Sequence, residues 1–283
     1  MIAILGGVGA ASVFAVATLC SSRSTRMIGA GPVLAWVMIV GTLIVIPWAT
    51  VEGVPDDLDR GSIGWLAVAG FGNVAGLLLA YSALRLGKVG IVAPIVSTEG
   101  AIAAVISIMA GEEIGTGVGV TLGVIAVGIL MAASTREAQK TSVSAADWLV
   151  ALYALAAAVS FGFSLYATAR VSADLPIVWA LLPARLAGVL VVALPLALTR
   201  RLRLSRPALP LVVTSGLAEV LGFTVFAIGS RHGIAVTAVL ASQFGAIAAG
   251  AAYVLFRERL AYVQLVGVVL IVAGVSVLSG LQA

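Results

Sequence analysis

The sequence predicts an all-α integral membrane protein of ten transmembrane helices, arranged as two five-helix inverted repeats around a central cavity. Three observations predict it. Hydrophobic residues make up 61% of the 283 and charged ones 10%, against roughly half and about a quarter in a soluble domain, so a water-facing surface cannot be built. The apolar runs are continuous and about 20 residues long, enough for one bilayer crossing, whereas barrel strands alternate over about 10 residues. The stretch from Gly70 to Gly128 recurs from Gly216 to Gly274.

The repeat is ordered. Gly70, Val74, Gly76, Arg85 and Gly87 fall on Gly216, Val220, Gly222, Arg231 and Gly233. After one residue of slip, Ser97 and the run Gly100–Ala104 fall on Ser242 and Gly245–Ala249, and Glu113 on Glu258. A unit of this length is half a domain used twice, not a solenoid repeat. The halves are read as 1–134 and 147–283, joined by the linker 135–146 that carries Arg136, Glu137 and Lys140.

The spans fall near 2–21, 31–50, 62–84, 89–110, 115–134, 147–168, 176–198, 208–229, 233–255 and 261–280. Backbone groups in each must be satisfied within the segment, because lipid offers no partners. The first span follows Met1 with no basic n-region and precedes Arg23 and Arg26, the wrong polarity for a cleaved signal peptide, so it is expected to be retained. Trp48, Trp65, Trp148, Trp179 and Tyr262 fall at span ends, where aromatic side chains anchor the interface. Cys20 is alone, which excludes an internal disulfide; it reads as a small apolar residue at a helix end.

Charge gives the orientation. Arg23, Arg26, Arg85, Lys88, Arg136, Lys140, Arg200, Arg201, Arg203, Arg206, Arg257 and Arg259 lie on the side of the odd-numbered loops, and only Arg60, Arg170 and Arg231 on the other. Such a bias in short loops places the odd loops in the cytoplasm and both termini outside, in a plasma (inner) membrane. The basic pI of 9.6 thus reports topology; no aromatic-interleaved basic patch suggests nucleic acid. An odd number of spans per half inserts the second half upside down, the arrangement that places a site near the midplane.

Three ionisable residues lie deep within spans: Glu99, Arg185 and Glu219, with Asn73 at the position corresponding to Glu219. Such groups are expensive in lipid and commonly functional. Arg185 and Glu219 either pair between neighbouring helices, or Arg185 faces a polar cavity and holds an anion such as a carboxylate, which its planar fork suits. If that pair forms, Glu99 has no cation and is expected to take up a proton, either exchanging it for substrate or keeping it while bonded to Ser97, Thr98 or Gln243. Its counterpart is Phe244, which predicts a carboxyl on one wall of the cavity and an aromatic face on the other. Tyr81, Ser160, Ser242 and Gln243 are further candidates for the lining, although serines also back-bond to helix carbonyls. Glu112, Glu113 and Glu258 are expected to cap the fifth and tenth spans, and Pro94 and Pro183 to kink the fourth and seventh.

Small residues at Gly119 and Gly123, Ala246 and Gly250, and Gly267 and Gly274 mark faces for close helix approach, within one chain or between two copies, so both monomer and homodimer stay open. No His–Asp or paired-Asp constellation lies in the spans and His232 is a lone loop residue, so no enzyme, metal site or cofactor is expected. No Gly-Lys-Ser/Thr loop is present, which argues against ATP-driven pumping by this chain.

Tyr81-Ser-Ala-Leu84 leading into a helix with Pro94, then Glu113 and a Gly-rich helix, repeated from Arg231 to Gly274 with Glu258, resembles the EamA-type members of the drug/metabolite transporter superfamily. The resemblance covers nearly the whole chain and implies a ten-helix basket around a cavity. It further implies secondary active export of small metabolites such as amino acids, or of drugs, often in exchange for protons; an uncoupled facilitator or channel is the alternative. Val37 stands where the family often has an arginine, the counterpart of Pro94 is not proline, and members are usually drawn with cytoplasmic termini.

Overall fold

The computed structural model describes residues 1–55, 58–87, 89–133, 145–256 and 262–281, and every regular element among them is helical. In order these are α1 (Ile2–Ile28), α2 (Ala30–Glu52), α3 (Arg60–Leu86), α4 (Val89–Val96), α5 (Glu99–Met109), α6 (Thr116–Ala133), α7 (Ala145–Asp174), α8 (Ile177–Gly188), α9 (Leu194–Leu198), α10 (Leu209–Ser230), α11 (Ile234–Ala241), α12 (Phe244–Phe256) and α13 (Tyr262–Leu281). A π-helical stretch, Val189–Ala193, joins α8 to α9. Six segments among the described residues are long and apolar enough to cross a membrane. Large apolar side chains such as Leu43, Phe71 and Leu155 stand exposed on the outside, which suits lipid and not water.

Two spans expected to be continuous are broken. The first breaks between α4 and α5 at Ser97–Thr98, the second between α11 and α12 at Ser242–Gln243. At each break the backbone tightens to an i→i+3 bond, Thr98 N to Ile95 O at 3.2 Å and Gln243 N to Leu240 O at 3.2 Å. The Thr98 and Ser242 hydroxyls donate to Ile95 O and Val239 O, both at 2.8 Å, offering the backbone a local alternative to the helix ladder. Irregular backbone at membrane depth survives only where protein covers it, and Ser97, Ser242 and Gln243 are buried.

Packing explains where the breaks sit. A Cβ on Gly100 would overlap the Ala238 carbonyl oxygen and come within 2.6 Å of Ser242; a Cβ on Gly245 would lie 2.8 Å from both Ala93 O and Ser97. The bent segments therefore touch backbone to backbone, each through its own glycine. Other contacts are paired in the same way. Helix α3 lies along α7 and α10 along α1, while α5 meets α11 and α4 meets α12. Gly76 abuts the Phe161 ring and Gly222 the Phe14 ring. Helix α2 also packs against α8, and α6 against α13.

Several expectations are corrected. Glu112 does not cap the fifth span: its carboxylate accepts from the backbone N–H groups of Ile234 at 2.9 Å and Ala235 at 3.1 Å, at the start of α11, and from the Ser107 hydroxyl. The orphan donors of a helix start attract whichever carboxylate the fold brings there, and here it comes from more than one hundred residues away. Replacing Glu112 with Ala is expected to cost about 1–3 kcal/mol, read as a lower melting temperature that Glu112→Gln partly restores. Glu113 is exposed, and Glu258 lies outside the described residues.

Helix α8 runs through Pro183, and the distortion falls instead at the π stretch ahead of Pro195. Proline at 195 lacks an N–H and crowds the carbonyl one turn earlier, which the wider π turn relieves. The first break follows Pro94 by three residues. Helix α1 continues to Ile28, which places Cys20 inside it. The expected glycine faces divide: a Cβ on Gly274 would lie 2.5 Å from Ile125 of α6, whereas Gly123 and Gly250 have nothing within 4 Å; Gly267 carries no described side-chain contact.

One connection shows ordinary capping. Asp59 precedes α3 and accepts from Ser62 N at 2.7 Å; hydrogen bonds from the Ser62 side chain and backbone hold its carboxyl below the usual range. Whatever the cap contributes is present above the unfolded pKa and lost as pH falls through the folded one.

Candidate functional site

A cavity of about 60 Å³ lies among α1, α3, α4, α5, α7, α10 and α12. Glu99, Tyr81, Glu219 and Phe244 line it together with Phe14, Phe161 and Phe223. Each arrives for a local reason. The break after Ser97–Thr98 puts Glu99 on the first residue of α5, and the break after Ser242–Gln243 puts Phe244 on the first residue of α12. Glu219 and Phe223 are one turn apart on α10 and so share a face. The rings of Phe14 and Phe223 meet edge to face with centroids 5.2 Å apart, and those of Phe14 and Phe244 at 6.5 Å.

Both carboxyls are deeply buried, each side chain only 6% exposed. Glu219 Oε2 has no hydrogen-bond partner. Glu99 is held by neither of two expected neighbours, since Thr98 donates to Ile95 O and Gln243 Nε2 is without partner. The two carboxyls are close enough to interact electrostatically.

Arg185 is 1% exposed and does not line the cavity. Of the two readings of Arg185, the ion pair with Glu219 does not form: among the described residues no nitrogen of Arg185 lies within 4 Å of a carboxylate, and the only such pair is Arg170–Asp174 at 2.9 Å. Instead Nη1 points at the Met38 sulfur at 3.7 Å, Cζ stands 6.0 Å from the Phe223 ring centroid, and Nε has no partner. Glu219 and Tyr81 act on it only at longer range. Gly41 makes room for this guanidinium, since a Cβ there would lie 2.8 Å from Arg185 Cδ.

The other candidates lie outside the lining. Asn73 is buried with both amide atoms unpartnered. Ser160 bonds back to Ala156 O at 2.9 Å and Ser242 to Val239 O, so both follow the structural reading of a helix serine. Sequence reasoning missed Phe14, Phe161 and Phe223, although Phe14 and Phe161 are separated by nearly the repeat offset and would have been found by extending the repeat toward the N-terminus. It also missed Ser21, whose hydroxyl meets that of Ser215 at 2.6 Å between α1 and α10, beside Tyr81.

Among the described residues no group of three or more potential ligands could hold a metal ion. The cavity lining carries acid, aromatic and hydroxyl groups.

The family model of the EamA-like transporter family matches residues 1–134 and again 148–280. The chain belongs to the EamA-like transporter family. It is therefore a multi-pass membrane transporter of small solutes and not an enzyme. No curated protein matches it. A crystal structure described only as that of a protein is similar over 99% of this chain and 96% of that one, with TM-score 0.75 and 18% identity, a likeness of fold alone.

Proposed function

We propose that this EamA-like protein is a secondary active transporter that exports small metabolites, such as amino acids, or drugs by alternating access, with protons as the coupling ion. The observation that carries the reading is the pair of buried carboxyls, Glu99 and Glu219, in one cavity beside two bent helices, with Glu219 Oε2 lacking a hydrogen-bond partner. A group buried in that way is costly to the fold and returns nothing to packing. The cavity of about 60 Å³ is well below the roughly 300–1,000 Å³ typical of small-molecule sites. It has to widen to take a metabolite, which an alternating carrier does in each cycle and an open pore does not.

The ten crossings of this reading count α4 with α5, α8 with α9, and α11 with α12 as one each. The separate family matches to 1–134 and 148–280 and the corresponding contacts of Gly100 on Ala238 and Gly245 on Ala93, and of Gly76 on Phe161 and Gly222 on Phe14, support two inverted halves. The bias of Lys and Arg toward the odd loops supports termini outside a plasma (inner) membrane.

Protein reconstituted in proteoliposomes with an internal pH dye tests the coupling. Addition of a transported solute from a panel of amino acids and amines is expected to move protons, and Glu99→Gln to abolish that movement. Solute flux that persists unchanged in Glu99→Gln, with no proton movement in either protein, identifies an uncoupled facilitator instead.

A further inference from the structure

We propose that α11 is the gate at one end of the central cavity and that Glu112 is its latch. This rests on the transporter reading and deepens it. The cavity is one-sided. Its lining runs from Glu99, Glu219 and Phe244 to Leu84 and Val92, within a turn of where α3 ends and α4 begins. The opposite end carries the turns from α5 to α6 and from α10 to α11, and toward it the lining goes no further along α5 and α12 than Glu99 and Phe244. What fills that end is α11. Its residues from Ala235 to Ala241 are all buried, yet none of them is among the described lining. The Ala238 carbonyl faces Gly100 of α5, and Leu240 Cβ lies 2.5 Å from where a Cβ on Gly7 of α1 would stand. Val236, Val239 and Leu240 pack with Ile4, Leu122 and Ile125 in an apolar cluster separate from the main core.

The form of α11 suits it to move as a unit. It is eight residues long, starts after Gly233 at φ 145°, a backbone region that glycine alone enters freely, and ends at the break at Ser242–Gln243. A short rod between two joints can swing while its neighbours stay in place, as hinged elements do. Glu112 fastens the end next to Gly233. Its carboxylate accepts from the N–H groups of Ile234 at 2.9 Å and Ala235 at 3.1 Å, and the Ser107 hydroxyl of α5 donates to the same group. The latch thus ties the start of α11 to the end of α5. Helix α10 is anchored separately: Arg231 donates to Ser172 O at 2.6 Å and Leu175 O at 3.0 Å, so α10 stays with α7 when α11 swings. The second repeat does not offer the same carboxylate. In the register that sets Glu113 on Glu258, Glu112 falls on Arg257, which has donors and no acceptor and cannot close a helix start in this way; Arg257 lies outside the described residues.

The test reads opening in the purified full-length protein, by the rate at which a water-soluble methanethiosulfonate reagent modifies a cysteine. Cys20 is the only native cysteine, so Cys20→Ser gives a clean background for Val239→Cys, in the gate, and Ala83→Cys, at the opposite end; both positions are buried. Glu112→Ala is expected to raise modification at 239 about tenfold or more, the scale set by losing hydrogen bonds to a charged group, and to leave position 83 unchanged or slower. Glu112→Gln, whose amide oxygen still accepts, gives a smaller rise, and Glu113→Ala, at the exposed neighbour, gives none. If Glu112→Ala does not fold, Ile234→Pro removes one of the donors at the first position of α11, where proline is tolerated. Rates at 239 that neither Glu112→Ala nor Ile234→Pro changes overturn the gate, and so does an equal rise at 239 and 83, which is general loosening of the fold. Solute flux into proteoliposomes separates this from the transporter reading. Flux through the wild-type protein with unmoved rates removes the gate and keeps the transporter; the expected rates with no flux of any solute in the panel keep the gate and remove the transporter.

Discussion

Changing Gly100 to Ala lowers the melting temperature of the purified protein by several degrees, and Gly245→Ala does the same more mildly. A Cβ at 100 would overlap the Ala238 carbonyl oxygen, which is backbone and cannot rotate away, and would press on the Ser242 side chain within 2.6 Å. At 245 the contacts are Ala93 O and Ser97 at 2.8 Å. Overpacking of this kind costs typically about 1–3 kcal/mol and sometimes more, and here it also pushes apart the two bent segments that place Glu99 and Phe244. Transport is therefore expected to fall further than stability in both variants. Gly123→Ala is the control: nothing lies within 4 Å of its Cβ position, so alanine there removes only the helix penalty of glycine, about 1 kcal/mol at most, and leaves the protein as stable or slightly more so. Differential scanning fluorimetry of the three variants decides the matter. Equal melting temperatures would show that the segments do not meet as described.

Replacing Arg185 with Met raises the melting temperature while abolishing transport. The guanidinium is almost wholly buried, with a sulfur and a ring for company and, among the described residues, no carboxylate within 4 Å. A buried charge whose desolvation is not offset by a close partner weakens the fold, so exchange for an apolar side chain of similar volume is expected to stabilise it by about 1–4 kcal/mol, the scale reached when buried ion pairs are replaced by apolar residues. For a chain of this size that corresponds to roughly 2–8 °C. The long-range attraction of Arg185 for Glu219 is lost, but Glu219 can answer by binding a proton. Such a trade of stability for activity is what a functional charge predicts. Had Arg185 and Glu219 been a packing ion pair, removing one partner would instead cost about 3–5 kcal/mol. The direction of the shift thus separates the two roles in a single melting curve.

The gap between what was legible and what was not follows the range of the interactions. Glu99 and Phe244 were found as counterparts from the repeat, and both line the cavity because each begins a helix after a break. Phe14, Phe161 and Phe223 carried no signal of their own: an aromatic residue in an apolar run looks the same whether it meets lipid or a cavity. Arg185 was visible as a charge in the wrong place, yet its surroundings were not. Glu112 was read as a local cap for the nearest helix and proves to bind a distant one.

What the chain determined alone is its solvent and its elements. Continuous apolar runs, too long for strands and too poor in charge for water, can satisfy their backbone in lipid only as helices, and that holds whatever the helices touch. Only the tertiary structure decided where two of those helices bend, which helix start Glu112 closes, and that Arg185 keeps away from Glu219. Those outcomes depend on contacts between segments far apart in the chain, such as Gly100 against Ala238 and Gly41 against Arg185, and such contacts leave no period in the sequence.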